Sequence, residues 1–204
     1  EGLAALCAAM ESPRGQAFLA DCADLGMQVE YELHAMHDLL PRELFAEAPE
    51  LFRADEAGVR VPEWNLCPSS SEALRVVSQG AVELARGLKP TTHRYFMWAD
   101  DGCPWCQCAR CADLTPSDQN LLVMNAIARA LGGVDPQASL ACLAYHNTLE
   151  APRSVRPEPG IFLEYAPIGR DSSRPMADAS CETNRHQAEF IDPLLDAFGT
   201  ENAQ

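Results

Sequence analysis

Four cysteines crowd into nine residues as Cys103-x-x-Cys106-x-Cys108-x-x-Cys111, directly after an acidic doublet, Asp100-Asp101-Gly102. That density suits a metal ion better than a set of spread-out disulfide staples. The two Cys-x-x-Cys knuckles are separated only by Gln107, which leaves little chain to wrap four sulfurs around one ion, because four-cysteine sites usually space their knuckles more widely. Three thiolates of the cluster plus a distant ligand is the easier geometry, and Cys67, just before a predicted helix, is the best distant candidate. Zinc is the expected ion, with Cys103 kept among the candidate ligands and disulfides as the alternative. Thiol redox chemistry is disfavoured, since the neighbouring carboxylates of Asp100 and Asp101 would raise a thiol's pKa and oppose the reactive thiolate. Of the remaining cysteines, Cys7, Cys22 and Cys142 fall on apolar faces and read as small core residues, and Cys181 reads as exposed.

The doublet itself has two readings. Asp and Gly are favoured in the turns after strands, so Asp100-Asp101-Gly102 could be a turn and nothing more. As chemistry, two close carboxylates favour keeping one proton between them, which suits a general acid working near neutral pH. His34, His37 and His146 could each be an ordinary hydrogen-bonded histidine. Together with Tyr145 and Tyr165 they could also bond a polar ligand, while Trp98 and Trp105 could offer a ring face to it.

These residues need elements to position them. Gly15 to Leu25 reads as an amphipathic helix closed by Gly26. Met27 to His34 alternates as a strand, with Val29, Tyr31 and Leu33 on one face and Glu30, Glu32 and His34 on the other. An acidic face on a strand implies water, a ligand or a polar barrel interior beside it. The Pro-rich stretch from Met36 to Pro68 reads as a long loop with brief helices. A helix follows through Leu74, Val77, Ala81, Leu84 and Leu88, begun by Ser69-Ser70-Ser71-Glu72. Strand two is Arg94 to Ala99. A helix capped by Ser117 runs through Leu121, Met124, Ile127 and Leu131. Strands follow at Ser139 to Tyr145 and Ile161 to Glu164, and a last helix at Gln187 to Phe198 is interrupted or begun anew around Pro193.

The order is α/β alternation, which predicts a parallel sheet. Right-handed crossovers then bring every strand's C-terminal end to one side, the edge where ligands bind in open α/β sheets and in β/α barrels. Those ends carry His34 and His37, Asp100 and Asp101, Tyr145 and His146, and Glu164 and Tyr165.

Composition bounds the rest. The chain has 204 residues, 47% of them hydrophobic, so residues 1–204 are expected to form a single α/β domain. Fifteen Lys plus Arg against thirty Asp plus Glu give a net charge of -15, which repels phosphate backbones and argues against a nucleic-acid partner. No stretch approaches the roughly 18 uninterrupted apolar residues of a membrane span, and no targeting signal is visible. Compartment and oligomeric state stay open.

The run Trp98-Ala-Asp-Asp-Gly-Cys-Pro-Trp-Cys-Gln-Cys-Ala-Arg-Cys111, followed by Ser117-Asp118 opening a helix, resembles the Asp-Asn/Asp-Gly plus Cys-x-Cys-x-x-Cys signature of a glycoside-hydrolase-like bacterial family. That family is a domain of unknown function similar to α-glucuronidases. His37 before Leu40-Pro41, Pro49-Glu50-Leu51-Phe52 and Asn65-Leu66-Cys67 extend the resemblance, which runs from about Val29 to Phe198. It implies a (β/α)8 TIM-type barrel, of which this chain holds the middle strands, a carbohydrate substrate, and Cys106, Cys108 and Cys111 as the three clustered ligands. Cys103 is additional to the family's three.

Glycosidic cleavage needs a protonated and an ionised carboxyl group across the scissile bond, typically about 5 to 10 Å apart. Two neighbours on one strand are too close to serve unless they diverge, so Glu164 or Glu32 is the more plausible opposite partner. The expectation is a glycoside hydrolase with Asp101 as general acid, Asp100 as its neighbouring charge, and Glu164 as base or nucleophile. Glu32, His34, His37, Trp98, Tyr145, His146 and Tyr165 are the expected substrate contacts. A non-catalytic carbohydrate-binding or metal-stabilised scaffold domain is the alternative.

Overall fold

The computed structural model describes residues 2–204. Two helices open the chain, α1 (Gly2–Glu11) and α2 (Pro13–Asp24), the second started by Ser12, whose side chain accepts the Gly15 N–H with Pro13 at the first helical position. Strand β1 is only Glu32–His34, shorter than the alternation from Met27 suggests. Val29 instead exchanges bonds with Thr91, its N–H reaching the Thr91 hydroxyl and its carbonyl accepting the Thr91 N–H. The run 27–31 is thus tied to a loop, and no ladder forms there.

The long connection holds the short helix α3 (Met36–Leu39) and two single-turn 3-10 helices, Arg42–Ala46 and Pro49–Leu51. Helix α4 (Ser71–Gly87) is capped by Ser70 and buries Ala73, Val77, Ala81, Leu84 and Ala85, a stripe at helical spacing. Strand β2 (Arg94–Trp98) leads through the cysteine loop to α5 (Pro116–Gly132). Thr115, not Ser117, caps α5, in a reciprocal capping box with Asp118. Pro116 at the first helical position fixes this start, and the Ser117 hydroxyl goes instead to the Glu150 carbonyl.

Strands β3 (Ser139–Ala144) and β4 (Ile161–Tyr165) follow. The expected last helix is two, α6 (Glu182–Ala188) and α7 (Ile191–Phe198), broken at Glu189–Phe190 with Pro193 accommodated in the first turn of α7. Cys181, read as exposed, is buried just ahead of α6.

All four strands are parallel, in the order β1-β2-β3-β4. One face carries Tyr95, Met97, Leu140, Cys142, Ala144, Ile161 and Leu163 into the main core against α4, α5 and α7. The opposite face carries the alternate residues. Phe96, Ala141 and Phe162 form a second cluster with Trp98 packed on it, and Arg94 lies 4.4 Å above the Phe162 ring. On the β4 side Ala203 pairs in parallel with Leu163, the Gln204 N–H bonding the Leu163 carbonyl and the Tyr165 N–H bonding that of Gln204. These strands make an open sheet, and the closed barrel implied by the resemblance is not formed by them.

Candidate functional site

The β2–β3 ladder is confined to Arg94–Ser139 and Tyr95–Leu140. Beyond it, toward the C-terminal ends of the two strands, a pocket opens whose lining includes His34, Trp98, Asp100, Asp101, Asn120 and Tyr145. Register explains why these side chains meet. His34 pairs with Trp98 and Leu143 pairs with Glu164, and counting three residues on from Tyr95–Leu140 sets Trp98 level with Leu143. Parallel partners share a face, so His34, Trp98, Leu143 and Glu164 form one row across the face away from the helices. Glu32, Phe96, Ala141 and Phe162 form the next row down.

Asp100 stands two residues beyond Trp98. One of its oxygens accepts the His37 backbone N–H at 3.0 Å and thereby caps the start of α3. Its other oxygen is buried without a hydrogen-bond partner, as are Trp98 Nε1, Asn120 Oδ1 and Glu164 Oε2. Asp101 is the outward member of the doublet, its side chain 56% exposed, with an oxygen 3.9 Å from His146 Nε2. His146 holds a left-handed backbone, φ 47, and its ring lies 4.4 Å from that of Tyr145. His34 Nδ1 is 2.6 Å from the Ala99 carbonyl, which fixes its ring edge-on to Trp98.

Electrostatics separate the carboxylates. Burial pushes Glu164 up to about 7, helped by the charge of Glu32 and opposed by the Trp98 indole and Arg94. Burial also raises Asp100, against the pull of the His37 N–H and the Arg42 guanidinium. A proton near neutral pH is therefore held better at Glu164, the group expected from the sequence as base or nucleophile, than an ordinary glutamate would hold it.

Not every expected residue joins the pocket: Glu164 shares the row of Trp98 and His146 stands beside Asp101, but neither is among the residues that line it. Tyr165 belongs to the opposite face, where it packs on the main core and donates its hydroxyl to the Gln187 carbonyl at 2.6 Å. Residues 164 and 165 alternate, so only Glu164 can share the row with Trp98. His37 is exposed and reaches the site through its backbone N–H. Glu32 lies one row below the strand ends. Trp105 lines the pocket but is only 2% exposed, which leaves little ring face for a ligand.

The second centre lies beside this pocket. The sulfurs of Cys67, Cys106, Cys108 and Cys111 all lie within 4.8 Å of one another, and the Cys67 sulfur is 3.8 Å from those of both Cys108 and Cys111. This tight group could hold a metal ion. Donors surround it: the Ala54 N–H at 3.2 Å and Arg60 Nη1 at 3.5 Å from the Cys106 sulfur, with the Ser69 hydroxyl 3.1 Å from that of Cys111. Bonds from Cys106 and Cys111, with Arg60 beside them, lower the pKa of Cys67. All nine cysteines are free thiols, so the disulfide alternative is not what the fold displays.

Cys103 is a correction to the expected ligand set. Its sulfur turns to the Asp101 carbonyl at 3.3 Å, and it is not one of the four that converge. Sequence reading missed Asn65, Arg60 and Asn120. A fully buried Asn65 two residues before Cys67 was the available signal, since a buried amide must find partners, but burial is not visible in a sequence.

A protein-family model described as a domain of unknown function, DUF4838, matches residues 10–192. Its description names no activity. No curated protein matches the chain.

Proposed function

Because the chain belongs to the DUF4838 family, which leaves the activity to be read from the site, we propose that it is part of a glycoside hydrolase of the (β/α)8 type, acting on a carbohydrate at the C-terminal edge of its sheet. One observation carries the reading. Trp98 Nε1 and Glu164 Oε2, on one row of the sheet face away from the helices, and Asp100 Oδ2, two residues beyond Trp98, are buried, and apart from the pull of the indole on Glu164 none of them has a partner at full hydrogen-bond geometry. Leaving such a group unpaired costs about 1–3 kcal/mol, and a sugar offers hydroxyls that both donate and accept.

Glu164 is the better general acid, since its burial beside Glu32 keeps it protonated closer to neutrality, and we assign the acid to it in place of Asp101. It donates its proton to the departing glycosidic oxygen. Asp101, exposed beside His146, is the opposing carboxylate that takes a proton from the attacking water. It lies beyond the end of β2, two strands of about 4.8 Å spacing from β4, a separation of the order that leaves room for water between the pair. Asp100 accepts a ring hydroxyl through its free oxygen.

The cysteine group is assigned to structural zinc. A tetrahedron with Zn–S bonds of about 2.3 Å has edges of about 3.8 Å, and two of the sulfur pairs stand at 3.8 Å. Thiolate zinc with all four positions filled by protein has no open site for substrate, so its contribution is to the fold. Release of reducing sugar from a glycan panel, lost in Glu164→Gln, tests the hydrolase reading. Sugar binding with no cleavage would favour the scaffold alternative.

A further inference from the structure

The geometry assigns Asn65 a positioning role: it ties the cysteine group to the acidic doublet, so that metal held at the cysteines sets where Asp100 and Asp101 stand. The inference rests on the two readings above, the strand-end pocket as sugar site and the cysteine group as metal centre.

Asn65 is fully buried, and its amide is spent on one loop. Its oxygen accepts the Asp100 N–H at 3.2 Å, and its nitrogen donates to the Cys103 and Pro104 carbonyls, each at 3.2 Å. Both donor hydrogens are thereby used. Asn147 adds a second bond to the Cys103 carbonyl at 3.0 Å. Two residues after Asn65 comes Cys67, one of the four converging sulfurs, with the segment between held by the antiparallel Phe52–Leu66 bridge. A displacement of Cys67 therefore has a short, bonded path to the Asp100 backbone.

A second path leaves from Cys106. Gln119 clasps that residue from both sides, accepting its N–H at 3.0 Å and donating to its carbonyl at 3.1 Å. The neighbours of this clasp, Trp105 before Cys106 and Asn120 after Gln119, both line the pocket. Cysteine group and pocket are thus two sides of one loop, and the loop's own side is stitched by Asn65. Four thiols without an ion give no fixed distance between the 67 and 106–111 segments, whereas a metal fixes all four at once.

Nuclear magnetic resonance on the whole 15N-labelled chain, loaded with zinc, tests this without requiring turnover. In Asn65→Ala, zinc should remain at one ion per chain and the helical circular dichroism should be kept. The Asp100 amide should exchange at least tenfold faster, and the indole N–H signals of Trp98 and Trp105 should move. Stripping zinc from the unaltered protein should move the same three signals. Should Asn65→Ala fail to fold, Asn65→Asp serves, since it keeps the acceptor for the Asp100 N–H but cannot donate to Cys103 and Pro104; the Trp98 and Trp105 indole signals should then move while the Asp100 amide exchanges less fast than in Asn65→Ala. With a cleavable glycoside, the variant should lose tenfold or more in kcat while KM stays within threefold, a split that general loosening of the fold would not give. Unmoved Asp100, Trp98 and Trp105 signals in the Asn65 variants, or on zinc removal, overturn the proposal. Absence of glycoside cleavage by the unaltered protein would remove the hydrolase reading and leave these amide and indole signals to decide the coupling.

Discussion

Trp98 and Glu164 occupy one row of the sheet face away from the helices with Leu143 between them, and neither Trp98 Nε1 nor Glu164 Oε2 has a partner at full hydrogen-bond geometry among the described residues. The indole eases the rise in Glu164's pKa without cancelling it. An acid in this state is poised to give up its proton when a developing negative charge on a leaving oxygen comes within reach.

The rate should accordingly depend on Glu164 as acid. kcat/KM for a glycoside should fall on the alkaline side with an apparent pKa near the value of about 7 at which Glu164 titrates. Glu164→Gln should lower turnover by about 10² or more and abolish that limb. Asp101→Asn should cost a similar factor while keeping the limb. Loss of the alkaline limb in Asp101→Asn, with Glu164→Gln retaining it, would return the acid to Asp101.

The same group bears on stability. A carboxyl whose folded pKa is raised contributes stability fully below the unfolded value, about 4.5, and loses it as pH rises through about 7. Unfolding free energy should therefore decline between pH 5 and 8. The decline is on the order of 1 kcal/mol, less than the whole shift implies because solvent screens a half-buried group. Urea denaturation of Glu164→Gln should be flatter over this window and more stable than the unaltered chain at pH 8. An identical slope in both proteins would show that Glu164 is not the group responsible.

Much of this was legible in the sequence, for identifiable reasons. Alternation in β2, β3 and β4 encodes which side chains face the helices, and the strand ends follow from α/β order, so Asp100, Tyr145 and His34 could be brought to one edge before any coordinates. Alternation also had the information to exclude Tyr165, because it cannot share a face with Glu164. Cys67 could be joined to the cluster because three sulfurs so closely spaced need a fourth from elsewhere. What stayed hidden depends on burial and on exact partners: the cap falls on Thr115 although Ser117 is equally a capping type, and Cys103 is diverted although its spacing matches that of its neighbours. The helix Gly2–Glu11 escaped notice because it has no fully buried residue and no sharp apolar stripe.

Cysteine variants should separate the ligands from the bystander. Protein purified without chelator should carry one zinc per chain by elemental analysis. Cys67→Ser, Cys106→Ser and Cys111→Ser should each lose it or bind it far more weakly, while Cys103→Ser should keep full occupancy because its sulfur is directed at the Asp101 carbonyl. Zinc lost from Cys103→Ser but retained in Cys67→Ser would reverse the ligand assignment.

Asp118 makes the opposite pH prediction to Glu164. It is fully buried, and its burial alone would raise its pKa, but three backbone N–H groups, from Ser154, Val155 and Thr115, together with the Thr115 hydroxyl hold it below the ordinary aspartate range. A depressed folded pKa gives stability present above the unfolded value of about 3.9 and lost as pH falls through the folded one. These bonds also fix the first turn of α5, from which Gln119 clasps Cys106 and Asn120 faces the pocket. Asp118→Ala should cost about 2–3 kcal/mol at pH 7, the loss of a cap plus unpaired buried donors. Asp118→Asn, keeping the shape without the charge, should cost less, and its deficit should shrink as the pH is lowered below the unfolded value of about 3.9, since the native carboxylate's stabilisation is lost as pH falls from there toward its depressed folded pKa. Chemical denaturation at pH 7, 5 and 3 measures this. A deficit for Asp118→Asn that is constant across the range would mean that shape and hydrogen-bond count, not the carboxylate's charge, hold the start of α5.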